Sequence, residues 1–424
     1  MKLEKKEKIK ILTISDHPLS PSGVGTQTRY VIEALLKSGK FQVISLGGAM
    51  KHDDYTIARI EPFEDDWLVI PVDGYGNPDL IRSLLRQHRP DILYFMTDPR
   101  FYDWLWKIED EVRECVPMIY YHVWDNYPYP HYNKVWYNSN DYIATISKVT
   151  SDIVQTVAPN VEEKYVPHAV QGEIFKKLSD PESLGRIAAI KKQINATNKF
   201  IFFWNNRNAR RKQSGTLLFW FKEFLDKVGH DKACLLLHTD IHDPHGQPLD
   251  ILADHLGLSK GQIVFSTQKL TPNHLAEMYN AADVTINISD AEGFGLATLE
   301  SLSCETPIIV NMTGGLQEQV TDGENWFGVG IEPCSKAVIG SANVPWIHED
   351  RISETDFVNA LETMYNMSAK ERNELGKAGR DHVNKNYNFK NFEKTWVDLM
   401  LDIHKKSGSW STRKNYSSWE VETL

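Results

Sequence analysis

The sequence predicts an α/β protein of two tandem, doubly wound, Rossmann-like domains, with a cleft between them and helices at the C-terminal end. Three observations carry this expectation. Short β-branched or aromatic runs alternate with helical periodicity almost throughout, the pattern of parallel strands joined by crossover helices. At 424 residues the chain is longer than one hydrophobic core usually serves. The alternation also breaks once, at "VPHAVQGEIFKKLSDPE" (166–182), where Pro, Gly and charges interrupt it.

In the first series the strand candidates are 9–15, 41–46, 67–71, 91–96, 118–123 and 142–146, with helices over 25–38, 78–88 and 147–157 between them. A second series opens at "KFIFFWNN" (199–206) and continues through 233–238, 262–266, 283–289 and 306–311. Beyond about 355 the chain turns helical, with Ser368 and Glu371 spaced as a capping box. The tail from Ser407 is polar and is expected to be ordered only where it docks. The boundaries expected are 1–172 for a first Rossmann-like domain, 173–394 for a second, and 395–424 for a helix and tail packing on the first.

Hydrophobic residues make up 41% of the chain, enough for a sizeable core in each half. A formal charge of −10 gives no general attraction to nucleic acid, which is excluded as a partner. Cys115, Cys234, Cys304 and Cys334 form no C-x-x-C pair and read as free thiols in a reducing compartment. There is no signal-peptide core and no apolar span of about 20 residues, so a cytoplasmic protein is expected. A basic face at Arg82, Arg86 and Arg89 leaves room for weak peripheral membrane contact.

Three loops carry the chemistry. The first strand leads into "SDHPLSPSGVGTQTRYVIEAL", where Gly23 and Gly25 open a helix with free backbone N–H groups, although Thr28 breaks the G-x-G-x-x-G spacing. The second half opens with "FWNNRNARRKQSG": Arg207, Arg210, Arg211 and Lys212 follow a strand with no acid among them. A helix start is unfavourable for cations unless an anion is bound, and a forked guanidinium with an ammonium suits a diphosphate. The bland alternative is a solvated basic turn. In "AEGFGLATLE", Gly293 and Gly295 allow close backbone approach, and the N–H groups of Phe294, Gly295 and Leu296 sit at a helix start. Glu292 and Glu300 flank that turn and could accept from sugar hydroxyls; an isolated pair at this spacing is more often a cap acid and an exposed helical charge.

Together, "NNRNARRK", "EGFGLATLE", "CETPIIVNMTGGLQEQV" with its Gly-Gly-x-x-Glu (314–318), the first Gly-rich loop and "VPHAV" resemble the retaining glycosyltransferases of family 4, which have the GT-B fold. The resemblance covers nearly the whole chain, and it implies that 1–172 is the acceptor-side domain and 173–394 the nucleotide-sugar-binding domain. It implies that Arg207 and Lys212 neutralise the diphosphate of a nucleotide-sugar, that Glu292 holds donor-sugar hydroxyls beside the backbone of Gly293 to Gly295, and that Glu300 accepts from the ribose. It further implies a loop at Gly23 and Gly25 facing phosphate and acceptor, and a catalytic place for His122 near the sugar. The chain departs from the family pattern at Asn206, where Gly is common, and at His168-Ala169, where Asn-Gly is usual.

The expected activity is hexosyl transfer with retention from a nucleotide-diphosphate sugar, UDP-hexose ahead of GDP-mannose, to a glycan or other hydroxyl acceptor. The nucleotide-sugar is a co-substrate, so no cofactor and no metal is expected; "HTDIHDPHGQPLD" (238–250) reads as a structured loop rather than a metal site. The aromatic-rich stretch 120–138, with 98–106 beside it, suits either acceptor contact or core. The competing readings are a catalytically idle nucleotide-sugar-binding protein on the same fold and a dinucleotide-dependent Rossmann enzyme.

Overall fold

The computed structural model describes residues 8–126, 129–342 and 344–418. The chain divides into two compact units, each built on its own sheet. Unit 1 comprises residues 8–124, 129–168 and 390–418, and unit 2 comprises 125–126, 169–342 and 344–389.

The sheet of unit 1 contains β1 (Ile9–Asp16), β2 (Phe41–Gly48), β3 (Ala58–Ile60), β4 (Glu64–Pro71), β5 (Ile92–Met96), β6 (Met118–His122), β7 (Tyr142–Thr145) and β8 (Glu162–Tyr165). Their order is β3-β4-β2-β1-β5-β6-β7-β8, parallel except for β3 against β4. Helices on both faces bury the central strands completely, which is why β5 and β6 are continuous apolar and aromatic runs. The capping chemistry fixes the helix starts. Ser22 accepts from Gly25 N before the helix Gly23–Lys37, and Asn77 accepts from Leu80 N with Pro78 at the first turn of Pro78–His88.

The sheet of unit 2 contains β9 (Phe200–Asn205), β10 (Ala233–His238), β11 (Ile263–Ser266), β12 (Val284–Asn287), β13 (Ile308–Asn311) and β14 (Gly328–Ile331), all parallel in the order β11-β10-β9-β12-β13-β14. Its core joins Phe202, Trp204, Leu217, Phe221, Leu235 and Phe357, all fully buried. A hairpin absent from the sequence-based expectation follows, β15 (Ser335–Ser341) against β16 (Val344–Arg351). It was illegible because charges and a Gly-Ser-Ala turn replace the apolar alternation of a core strand. The capping box of Ser368 and Glu371 starts the helix Ala369–Asn386 as the spacing predicts.

The units meet the sequence at slightly different points from those expected. Unit 2 begins at Ala169 rather than 173, because Val170 bridges Asn388 and the Gly172 carbonyl accepts from Arg380. Asp125 and Asn126 also belong to unit 2, and Asn126 Nδ2 donates to the His348 carbonyl at 3.1 Å. The helix Phe389–Ser407 lays Trp396 edge-on to Tyr94 and Tyr121 of unit 1. The tail beyond it docks on the same unit: Ser409 Oγ donates to Asp91 at 2.6 Å, and Trp410 Nε1 to the Pro90 carbonyl at 2.8 Å. Trp419, the tail's second tryptophan, lies outside the described residues.

All four cysteines are free; Cys234 and Cys304 are buried, whereas Cys334 is exposed at the edge of the hairpin. No helix among the described residues is long and apolar enough to cross a membrane. The basic face is largely paired, since Arg82 makes two hydrogen bonds to Glu111 and Arg89 stacks over Trp410.

Candidate donor site in unit 2

Three loops at the C-terminal ends of adjacent parallel strands make the site, the position where open α/β sheets bind ligands. After β9 the chain forms a tight 3-10 turn, Arg210–Lys212, then Gln213 in a left-handed conformation, then the helix Ser214–Val228. Asn208 locks this turn from within: it is fully buried, donates to the Gln247 carbonyl at 2.7 Å and accepts from Ser214 Oγ at 2.7 Å.

The four cations of the turn have separate surroundings. Lys212 is only 7% exposed, and its Nζ lies against Glu292 Oε2. Burial lowers the Lys212 ammonium to about 8; Glu292 opposes that shift and keeps it charged at neutral pH. Burial would raise the Glu292 carboxyl, but Lys212 and Arg211 outweigh it and hold the carboxyl below its ordinary value. Arg207 is turned outward and binds Asp243, with Nε at 2.6 Å and Nη2 at 3.1 Å from the two carboxylate oxygens. Arg210 reaches Glu349, and Arg211 donates to the Ala291 carbonyl. Arg207 and Lys212 thus share a loop while each rests on its own acid.

The acid loop after β12 is equally constrained. Gly295, at φ +91°, caps the helix Leu296–Ser303, which leaves the first-turn N–H groups without a side-chain cap. Gln319 Nε2 donates to the carbonyls of Phe294 and Gly295 at 2.7 and 3.1 Å, and the Phe294 ring packs on Tyr387. Gly314 must be glycine: its φ is +49°, and a Cβ there would stand 1.8 Å from the Glu292 carbonyl oxygen. Gly315 N donates to that same oxygen at 3.0 Å, so the Gly-Gly loop after β13 carries the backbone of Glu292.

Glu300 lies further along the helix and has a different neighbour. Tyr279 OH donates to it at 2.8 Å, and Asn205 Nδ2 donates to Tyr279 OH at 2.8 Å. Burial raises the Glu300 carboxyl to about 7, against the lowering effect of the tyrosine hydrogen bond. The structure therefore gathers Lys212, Glu292 and the 293–296 turn into one cluster, and holds Glu300 through Tyr279.

The remaining expected site residues belong to unit 1. Gly23 and Gly25 open the first helix, and Gly25 is closely overlaid by Ser20 and the His17 carbonyl. His122 ends β6 and is fully buried; its Nε2 pairs with Tyr137 OH at 2.7 Å, its Nδ1 has no hydrogen-bond partner among the described residues, and burial lowers it to about 3, so the imidazole is neutral. Tyr120, Tyr121 and Tyr137 are likewise core, which assigns much of the aromatic stretch to packing; Tyr127 lies outside the described residues.

Sequence reasoning missed Asp125. Its carboxyl is raised to about 6 by burial, with Arg211 and Lys212 lowering it and Glu292 raising it, which puts it in the field of the Lys212–Glu292 pair. A single acid in an aromatic run gave no signal. In the 238–250 loop, Asp243 binds Arg207 and His238 pairs with Ser266 Oγ at 3.0 Å; no group of metal-ligating side chains occurs among the described residues.

Residues 186–382 match the family described as "Glycosyl transferases group 1", a span holding the cationic turn, the acid loop and the Gly-Gly loop. Over these residues the chain is similar to a group 1 glycosyl transferase domain. The chain is also 43% identical over 90 residues to the D-inositol 3-phosphate glycosyltransferase of Acidothermus cellulolyticus, which is 21% of this chain and 20% of that protein. The match thus spans about a fifth of that relative. Among solved structures, sucrose-phosphate synthase from Thermosynechococcus elongatus superposes with a TM-score of 0.74 at 18% identity, covering 94% of this chain and 100% of that one. Anabaena Alr3699/HepE in complex with UDP-glucose gives 0.69 at 14% identity, over 93% and 100%. At these identities the likeness establishes the fold, which is GT-B.

Proposed function

We propose that the protein is a retaining glycosyltransferase that moves a hexosyl group from a nucleotide-diphosphate sugar, with UDP-hexose favoured over GDP-mannose, to a hydroxyl acceptor of a glycan or glycoconjugate. The observation that carries this reading is the buried Lys212 ammonium, held charged by Glu292 at a helix start. A buried cation in that position is costly unless an anion shares it. The UDP-glucose complex of Alr3699/HepE, which has the same fold, supports the choice of donor.

Departure of a nucleoside diphosphate leaves positive character on the sugar and added negative charge on the phosphate. Lys212 and the N–H groups of the 293–296 turn are preorganised to stabilise that charge, and Arg207 joins them by exchanging Asp243 for phosphate. Glu292 lies too deep in its ion pair to serve as a free nucleophile; its role is to orient Lys212 and grip sugar hydroxyls. The acceptor hydroxyl then attacks on the face the phosphate leaves, with the departing phosphate taking its proton. Glu300, joined to Tyr279 and Asn205, is the acceptor for ribose hydroxyls. Neither a cofactor nor a metal enters this scheme.

The experiment is a panel of nucleotide-sugars assayed for slow hydrolysis without an acceptor. Release of UDP from a UDP-hexose is expected. Binding without release would instead mark an idle binding protein, and release from no donor would contradict the proposal.

A further inference from the structure

The base of the hairpin β15–β16 carries charges that a mere connecting ribbon does not need. Glu349 is 1% exposed and lies between two guanidiniums. Arg210 Nη1 and Nη2 donate to its two oxygens at 2.8 and 2.5 Å, and Arg351 Nη2 donates to it at 2.8 Å. Arg351 Nη1 stands 3.2 Å from Asp290 Oδ2, which also accepts from Gln213 Nε2 at 2.5 Å.

The next residue, Asp350, extends the same lattice. Its N–H donates to the Asp290 carbonyl at 2.8 Å, its carbonyl accepts from Asn311 Nδ2 at 2.9 Å, and its carboxylate accepts from Thr313 Oγ1 at 2.8 Å. Two consecutive residues of one strand therefore hold the loop after β9 through Arg210, the loop after β12 through Asp290, and the end of β13 with the loop after it through Asn311 and Thr313. Those three loops carry Lys212, Glu292 and Gly314.

A buried carboxylate between arginines is no better for stability than a well-packed apolar cluster, so its advantage lies in fixing geometry. We infer that Glu349 and Asp350 are positioning residues of the donor site, acting through Arg210, Asp290 and Thr313 to set the spacing between the phosphate-binding turn and the sugar-binding loop. This rests on the transferase reading above. Misplacement of such loops by about 1 Å is enough to cost a hundredfold in rate, and smaller shifts cost proportionately less.

The test compares Glu349→Gln, Thr313→Val and, as a control on the exposed outer part of the hairpin, Val338→Ser. UDP binding is measured by calorimetry, and KM and kcat are measured with the UDP-hexose that the wild type hydrolyses. Glu349→Gln is expected to raise the donor KM and the UDP Kd roughly tenfold, Thr313→Val several-fold, and Val338→Ser not at all. Lower stability alone would reduce the folded fraction without changing KM, so a wild-type KM in both variants overturns the inference. If Glu349→Gln does not fold, Thr313→Val, which is nearly isosteric and keeps the ion pairs, decides on the same criterion. Failure of the wild type to bind UDP overturns the UDP-hexose reading of the site on which the inference rests; UDP binding that is unchanged in the variants overturns only the positioning role.

Discussion

Glu300→Gln tests the electrostatics of the donor-site acids without requiring a substrate. Burial holds this carboxyl near 7 in the folded chain, against an ordinary value of 4.5. At pH 6 the folded chain keeps a proton that the unfolded chain has released. The favourable contribution of this group is therefore complete below about 4.5, declines as pH rises, and is gone above about 7. The interval corresponds to about 3 kcal/mol. Glutamine keeps an oxygen for Tyr279 OH and never ionises, so the variant and the wild type should have similar stability at pH 5. At pH 8 the variant should be more stable by about 3 kcal/mol. Urea unfolding followed by tryptophan fluorescence at the two pH values reads the difference. A gap of the same size at both would refute the assignment of a raised carboxyl to Glu300.

Three further outcomes follow from the same contacts. Glu292→Gln strips the buried Lys212 of its counter-charge and should destabilise the protein by about 3 kcal/mol while weakening both transfer and UDP binding, as thermal melts and calorimetry would show. Gly314→Ala forces a Cβ against the Glu292 carbonyl at positive φ, and should cost about 2 to 4 kcal/mol in unfolding measurements and abolish donor hydrolysis. Trp410→Ala removes the hydrogen bond to Pro90 and the Arg89 stack, and should cost about 2 kcal/mol while leaving UDP affinity unchanged by calorimetry.

The central strands and most helices of both units were legible because their signals are local, whereas β3, β8 and β14, short strands at the sheet edges, were not expected. Short β-branched and aromatic runs such as "FIFFWN" suit strands buried on both faces, and Asn77-Pro78 or Ser368 with Glu371 announce helix starts. The donor-site loops were legible as a pattern of residue types, but not in their pairing. The spacing within "RNARRK" could not show that Arg207 rests on Asp243 and Lys212 on Glu292, since both partners are distant in sequence. The contacts of His122 with Tyr120 and Tyr137 were not legible, because a strand-end histidine looks the same in sequence whatever surrounds it. Asp125 and the base of the hairpin were invisible because their roles depend on charges brought in from other loops.

In the proposed reaction the turn bearing Arg207 and Lys212 stabilises the leaving diphosphate. The most direct measurement is kcat/KM for UDP-hexose hydrolysis by the wild type, Arg207→Ala and Lys212→Ala, each with its folded fraction determined. A loss of about a hundredfold or more is expected for Lys212→Ala, and a smaller but clear loss for the exposed Arg207→Ala. Unchanged kcat/KM in both variants would contradict it.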